Sequence, residues 1–390
     1  MSPLSVGYLE ALLAGVEGLG ERLPAVSDAA GRIAARLEAG GRLFLASVRP
    51  DFTSEGYTRS GGLMLAEEWT PETVLSPGDA VILGWSGAPL ERELELQQQL
   101  RSSGALVAAI GPAGWPGADP RPGDLFLDSS VPLREEATAP FGGEAYPLTS
   151  LQNLLLLWGL TGEIVAALTR VGRMPAMYES VLVPGARERN ARFADSPFHQ
   201  THRVPAIPAG RLGGDYLERM AAILRALIEE EAAAVEAVGE VCAEVLEAGG
   251  RIHAGLISHF PMYQLGAPGD PPYMRPLERL RGESPRVAEL EEKLRPGDLF
   301  FFLGYYRRPV EAYAAARRAG ARIVEVITGD GTDNPPPAPD HVIRPKWPFG
   351  DAVTPVPGYD VEILPSSGIV QAAVYWAVVA SIGRARARGG

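Results

Sequence analysis

One cysteine, Cys242, stands in the whole 390-residue chain. No intramolecular disulfide and no cysteine-based zinc site can form, and such usage fits a reducing cytoplasm. Histidine is nearly as scarce: His199, His202, His253, His259 and His341. His199 and His202 are near enough in sequence to share a metal, but the polar run 195–203 around them reads as a linker. No metal and no cofactor are expected. Basic residues are outnumbered, 36 against 48 acidic, for a net charge of -12. Such a surface repels phosphate backbones, so no nucleic-acid partner is expected, although a local basic patch for one small anion remains open. Residues 1–7 lack the basic segment and apolar core of a signal peptide. The longest apolar stretch, residues 369–382, falls short of the roughly 20 residues that cross a bilayer and reads as a buried helix. No export and no membrane partner are expected, and the basic tail 383–390 is expected to fray.

What is present is an ordinary globular composition, 46% hydrophobic and 22% charged, with enough glycine (45) and proline (35) for many turns. The length suggests two domains. Internal repetition says that they are one domain used twice. Glu38-Ala-Gly-Gly-Arg-Leu-Phe-Leu45 returns as Glu247-Ala-Gly-Gly-Arg-Ile-His-Ala254, and Ser76-Pro-Gly-Asp-Ala-Val-Ile-Leu83 returns as Arg295-Pro-Gly-Asp-Leu-Phe-Phe-Phe302. Ser103-Gly-Ala-Leu-Val-Ala-Ala-Ile110 is answered by Ala319-Gly-Ala-Arg-Ile-Val-Glu-Val326, and Asp124-Leu-Phe-Leu127 by Asp340-His-Val-Ile343. A small polar pair opens a long apolar helix in each half, Thr149-Ser150 and Ser366-Ser367. Each half reads as helix, strand, long loop, strand, helix, strand, loop, strand, loop, helix. Short apolar strands alternating with helices predict an α/β domain whose parallel sheet is covered on both faces. The halves are expected at 1–190 and 214–390, with a polar, proline-rich linker at 191–213.

In an open parallel sheet, ligands bind beyond the carboxyl ends of the strands. The loop after the first strand carries Ser47, Arg49, Thr53 and Ser54. The next strand is followed by Gly84-Trp-Ser-Gly87, with Ser86 and Gly87 leading into a helix, and Thr149 and Ser150 open the third helix. Hydroxyls and free backbone N–H groups at helix starts suit phosphate or another small anion. Each is also an ordinary helix cap; their convergence at strand ends is what points to a ligand.

These residues resemble a family. The chain is similar to two tandem sugar isomerase (SIS) domains, especially the phosphoheptose-isomerase-like branch. Glu55-Gly-Tyr-Thr-Arg-Ser-Gly-Gly-Leu63 resembles the family's Glu followed by Arg-Ala-Gly-Gly, with Ser60 in place of Ala. Gly84-Trp-Ser-Gly87 keeps the second Ser and the Gly of a Ser-Asn-Ser-Gly loop, Thr149-Ser150 matches a Ser-Thr helix start, and Val181-Leu-Val-Pro-Gly-Ala-Arg-Glu-Arg-Asn190 resembles a trailing segment. A further family segment is faint at 128–137, while Gly350-Asp-Ala352 survives in the second half. The resemblance covers nearly the whole chain. It implies two three-layer αβα domains, each with a mainly parallel, flavodoxin-like sheet, paired within one chain as an intramolecular pseudo-dimer. A homodimer of such chains is compatible with the family.

The resemblance further implies that the Ser/Thr loops hold the phosphate of a phosphosugar. In the second half, Ser258, Ser366 and Ser367 would match. Elsewhere that half departs from the pattern, because its loop Gly304-Tyr-Tyr-Arg-Arg-Pro309 has no hydroxyl turn and it has no equivalent of Glu55. Arg307 and Arg308 there read as a solvated helix start. Aldose–ketose isomerisation through an enediol needs a base and an acid. Glu55 is the candidate base, ahead of Glu67 and Glu68. His259 is the candidate acid, because a His from the paired domain can complete a family site; His253 lies inside a strand and reads as core. Three functions stay open: a phosphosugar isomerase, a non-catalytic phosphosugar- or nucleotide-sugar-sensing protein, and, behind these, a purely structural SIS pair with no ligand.

Overall fold

The structure is a computed structural model and describes residues 4–115, 123–130, 135–257, 259–278, 284–329 and 335–389. Ser258 and residues 131–134 of the faint segment lie outside the described residues.

The first half runs α1 (Leu4–Leu19), α2 (Leu23–Glu38), β1 (Leu43–Ala46), α3 (Pro50–Gly56), β2 (Ala66–Glu68), β3 (Ala80–Gly84), α4 (Leu90–Ser102), β4 (Leu106–Gly111), β5 (Leu125–Asp128), α5 (Glu135–Thr138), α6 (Tyr146–Arg170) and α7 (Ala186–Ala191). The second runs α8 (Arg211–Glu247), β6 (Ile252–Leu256), β7 (Met274–Pro276), α9 (Val287–Lys293), β8 (Leu299–Leu303), α10 (Val310–Arg318), β9 (Arg322–Val326), β10 (His341–Ile343), β11 (Ala352–Thr354), β12 (Ile363–Pro365) and α11 (Ser367–Gly389).

Two five-stranded sheets result, ordered β2-β1-β3-β4-β5 and β7-β6-β8-β9-β10, and every neighbouring pair in them is parallel. This is the flavodoxin-type order, made twice. Each half gains an edge strand, β2 or β7, where the sequence suggested a long loop. The two-residue side-chain period of a strand sorts the core. Leu43, Leu45 and Ile82 of the first sheet, with Ile252, Leu299 and Phe301 of the second, face one shared interior. Phe44, Val81 and Leu83 face the layer of α4, while Phe300, Phe302 and Ile323 face that of α9 and α10.

The repeated landmarks have a common mechanical role. Asp79 Oδ1 accepts the Arg42 N–H at 2.9 Å and its Oδ2 accepts the Ser76 N–H at 2.9 Å. Asp298 does the same for Arg251 (2.8 Å) and Arg295 (2.9 Å). Each Pro-Gly-Asp turn is thus tied to the Gly-Gly stop that precedes the first strand of its half. A Cβ on Gly41 or Gly250 would press into the carbonyl oxygen of Gly78 or Gly297, so only glycine permits that approach.

The halves meet chiefly through α1, α6, α8 and α11. Helix α8, 37 residues and about 55 Å long, packs on α6 with one part and on α11 with another. Its first turn is held by buried Glu163 of α6, which accepts the N–H groups of Gly210 (2.6 Å) and Gly213 (3.0 Å) and the Ser27 hydroxyl (2.7 Å). A carboxylate there satisfies orphan donors and complements the helix dipole. Helices α6 and α11 are long and apolar enough to cross a membrane by length and composition. The apolar windows that qualify them are 100% and 83% buried inside the structure. Apolarity all round is what a core helix requires. The basic tail does not fray as expected: α11 continues through it, with Arg384 paired to Glu236 at 3.2 Å and Arg386 over the Tyr273 ring.

Candidate functional site

The first-half loops come together beyond the ends of β1 and β3, but their donors are engaged within the protein. Ser86 donates its backbone N–H (2.9 Å) and its hydroxyl (2.7 Å) to Glu93 Oε1, and the Ala88 N–H joins them at 3.1 Å. A carboxylate of α4 therefore fills the turn where an external anion was expected. Among the described residues, Glu93 Oε2 is buried without a hydrogen-bond partner. Burial raises the Glu93 pKa, the bonds from Ser86 and Ala88 oppose this, and the nearby Asp51 charge adds to it. Asp51 is buried too, and its pKa is raised by burial against the pull of Tyr146 and Arg49. It accepts the Tyr146 hydroxyl and sits 3.7 Å from Arg49 Nε.

Most of the remaining expected contacts are accounted for in the same neighbourhood. Ser47 donates to the Arg49 carbonyl (2.5 Å), and Arg49 reaches the Tyr263 carbonyl of the other half (3.1 Å). Buried Thr53 donates to the Pro50 carbonyl and Thr149 to that of Ala145, at 3.3 and 3.2 Å. Ser150 donates to Gln264 Oε1 across the halves at 3.5 Å. Gly87 has φ +67°, and a side chain there would strike Tyr146.

A second cluster joins the halves. Arg59 donates to Glu55 (3.3 Å), to the Tyr305 hydroxyl (2.8 Å), to Asp351 (2.8 Å) and to Ser367 (2.8 Å). Burial works against the Arg59 charge, but Glu55, Tyr305 and Asp351 more than offset it, and the guanidinium pKa rises. Glu55 is fully buried. Burial raises its pKa, Arg59 opposes, and Asp351 adds to the rise. Its Oε2 accepts the Phe260 N–H at 3.4 Å, and its carboxylate lies so close to Gly368 that no Cβ fits there. Asp351 Oδ1 accepts the N–H groups of Ser366 (3.1 Å) and Ser367 (2.7 Å). Ser366 and Ser367 are thus wholly buried, and the start of α11 is occupied by the protein's own carboxylates.

Above this cluster opens a cavity of about 740 Å³. The second half contributes His259 after β6, Tyr305 and Tyr306 after β8, and Asp351. The first half contributes Arg59 and Ser60, then Tyr178, Ser180, Arg187 and Asn190. Arg187 is exposed and has no ion pair among the described residues. His259 Nδ1 lies 3.3 Å from the Ser54 carbonyl, which places the proton on Nδ1, and its backbone φ is +84°. Strain of that kind in a non-glycine residue is sparsely populated and clusters at sites of function. A smaller cavity of about 210 Å³ adjoins, sharing Ser60, Glu179 and Ser180.

The structure brings Glu55 and His259 into one region, but Glu55 lies behind Arg59 and does not line the cavity. Glu67 and Glu68 are exposed on the edge strand. His253 is buried, and burial lowers its pKa. Arg308 is no solvated helix start: it pairs with buried Glu325 at 2.8 Å. His199 and His202 are committed to the Tyr359 hydroxyl (3.0 Å) and the Gly358 carbonyl (2.9 Å). Arg59, Asp351, Tyr305 and Arg187 were quoted from sequence only inside longer segments, with no site role assigned. The family-like Arg-Ser-Gly-Gly run that begins at Arg59 and the Gly350-Asp-Ala352 segment were the signals that could have found the first two.

No family model matches the chain, and no curated protein does. Among solved structures, the chain is similar to the C-terminal domain of glucosamine-fructose-6-phosphate aminotransferase from Francisella tularensis, with TM-score 0.51, 8% identity and 94% of each chain covered. It is also similar to a candidate phosphosugar isomerase from Clostridium difficile 630, with TM-score 0.49, 10% identity and 98% and 93% of the two chains covered. Identities this low speak to the fold alone.

Proposed function

We propose that this chain recognises an anionic sugar derivative of the phosphosugar class in the cavity between its halves, and that it binds this ligand without isomerising it. The observation that carries the reading is the make-up of that cavity. Arg187 offers positive charge with no ion pair among the described residues, Tyr178, Tyr305 and Tyr306 offer faces for a sugar ring, and Ser60, Ser180 and Asn190 offer polar groups to its hydroxyls. It lies beyond the carboxyl ends of β6 and β8, where open parallel sheets take ligands. The SIS resemblance, its phosphoheptose-isomerase-like branch and the shared fold support the ligand class by analogy. A cytoplasmic protein acting through its own two halves, 1–190 and 214–390, goes with this reading.

The phosphate loops expected from sequence are not the proposed contact. Glu93 fills one, Asp351 and Glu55 the other, and a bound anion would meet those charges at close range. The same burial argues for binding over turnover. Glu55 has no access to the cavity, and Asp351 spends its oxygens on Arg59, Ser366 and Ser367. Calorimetry against sugar phosphates, sugar acids and nucleotide sugars tests this. At least one should bind, without turnover, and Arg187→Ala should weaken it tenfold or more. No binding by any of them overturns the reading.

One observation favours the isomerase reading: the strained backbone of His259 at the cavity wall. Under that reading a sugar phosphate is turned over, and both His259→Asn and Glu55→Gln abolish the turnover.

A further inference from the structure

An unbroken row of aromatic rings leads from the charged floor of the large cavity out to solvent. Tyr305, whose hydroxyl meets Arg59, stacks beside Tyr306 with centroids 6.3 Å apart and planes 24° from parallel. Tyr306 contacts Phe349 at 4.8 Å, and Trp347 backs both tyrosines at 5.7 and 4.8 Å. The row is fixed in place. The Tyr306 hydroxyl donates to the Pro348 carbonyl (3.0 Å) and accepts the Gly350 N–H (2.9 Å).

Phe349, at the outer end, is 61% exposed and lines the smaller cavity. Val181, 50% exposed, lines the larger one. Single exposed apolar side chains need no explanation. These two, however, line two cavities that share Ser60, Glu179 and Ser180, and one of them ends a rigid aromatic row that begins at Arg59. The volume agrees with a ligand larger than one sugar: about 740 Å³ plus the adjoining 210 Å³ lies in the range, roughly 300–1,000 Å³, that holds drug-sized molecules.

Resting on the reading above, we infer that the ligand is a sugar phosphate carrying an uncharged aromatic substituent, with the anionic end toward Arg187 and the aromatic ring against Phe349 and Val181. The charge distribution sets this direction. Glu179 lines both cavities, but Asp360 and Glu362 line only the smaller one, which has no Arg or Lys in its lining among the described residues, whereas Arg187 lines the larger, so an anionic group is disfavoured in the smaller. An aromatic ring packed on Phe349 gains apolar burial and an edge or offset contact.

The test pairs each of four hexose 6-phosphates (glucose, mannose, galactose and glucosamine) with its phenyl glycoside and measures Kd by calorimetry on the full chain. At least one phenyl glycoside should bind tenfold or more tightly than its parent, and this ratio should fall toward one in a Phe349→Ser/Val181→Ser double variant. Both side chains are half exposed or more, so the substitutions spare the core; circular dichroism checks the fold. Equal affinities in every pair, or a gain that survives in the double variant, overturn the inference alone. Absence of binding by all eight compounds overturns the cavity reading and the inference together.

Discussion

Arg59 of the first half and Asp351 of the second lie 2.8 Å apart, both buried, with Glu55 on the other side of the guanidinium. This triad is a tie between the halves and the floor of the proposed site. Removing the cation leaves two buried carboxylates facing each other, which is costlier than the pair itself is stabilising. Arg59→Met should lower the unfolding free energy by about 3–5 kcal/mol, read as the guanidinium midpoint. Arg59→Lys should fall between, because an ammonium cannot reach four partners set around a planar fork. An Arg59→Met protein within about 1 kcal/mol of wild type would show that the triad holds nothing together.

The Ser86 turn gives the next prediction. Its hydroxyl already donates to Glu93 at 2.7 Å. Ser86→Ala should therefore cost stability, by about 1–2 kcal/mol for a buried bond to a charged group. Affinity for whichever sugar phosphate binds should stay within twofold, as it should in Ser47→Ala. A tenfold loss of affinity in either variant would put the ligand back in the loop and displace Glu93 from it.

Acid stability singles out Asp79. Desolvation pushes its pKa up, but the bonds from Arg42 and Ser76 win and bring it down to about 2 from 3.8. A depressed carboxylate stabilises the fold above its unfolded pKa and loses that contribution as pH falls through its folded one. Asp79→Asn should cost about 1–2 kcal/mol at pH 7, discounted because Arg42 is half exposed. The gap from wild type should close as pH drops from about 4 toward 2. Asp51, Glu55 and Glu93 act with the opposite sign: their raised values make folding less favourable as pH rises above the ordinary carboxylate range. The difference between the two proteins in urea titrations, not either curve alone, isolates Asp79. A gap that is constant with pH would count against the paired carboxylate.

How far the sequence could be read follows from the range of each interaction. The strands β1, β3, β4 and β5 and their second-half counterparts announce themselves as apolar runs between turns, and the repeat doubles the evidence. Edge strand β2 is three residues long and carries exposed Glu67 and Glu68, so it has no such signature. At the site, Glu55 and His259 were legible as chemistry-bearing residues, and they do fall in one region. That Glu55 sits behind Arg59 depends on Asp351, 292 residues further on, and no local pattern carries that. The filled anion turn was hidden for a similar reason: a helical Glu beside a Ser-Gly turn reads as surface until the side chain is seen folded back onto it. Tyr305 and Tyr306 were read as the loss of a hydroxyl turn, when their rings form one wall of the cavity.

The repeated Gly-Gly stop supports the last prediction, which contrasts two glycines. At Gly41 a Cβ would push into the Gly78 carbonyl oxygen, and the backbone on both sides is held by Asp79. Nothing flexible is available to yield, so Gly41→Ala must shift a strand entry and its turn together. Gly7 lies in α1 with nothing within 4 Å of an added Cβ. There the substitution only reduces backbone freedom in the unfolded chain, so Gly7→Ala should stabilise by about 0.5–1 kcal/mol. Gly41→Ala should destabilise by more than about 2 kcal/mol, and Gly250→Ala, its counterpart in the second half, should do the same. Denaturation midpoints of the three variants decide it. If Gly41→Ala and Gly250→Ala behave like Gly7→Ala, the repeated landmark is a relic of ancestry and not a close contact that each half needs.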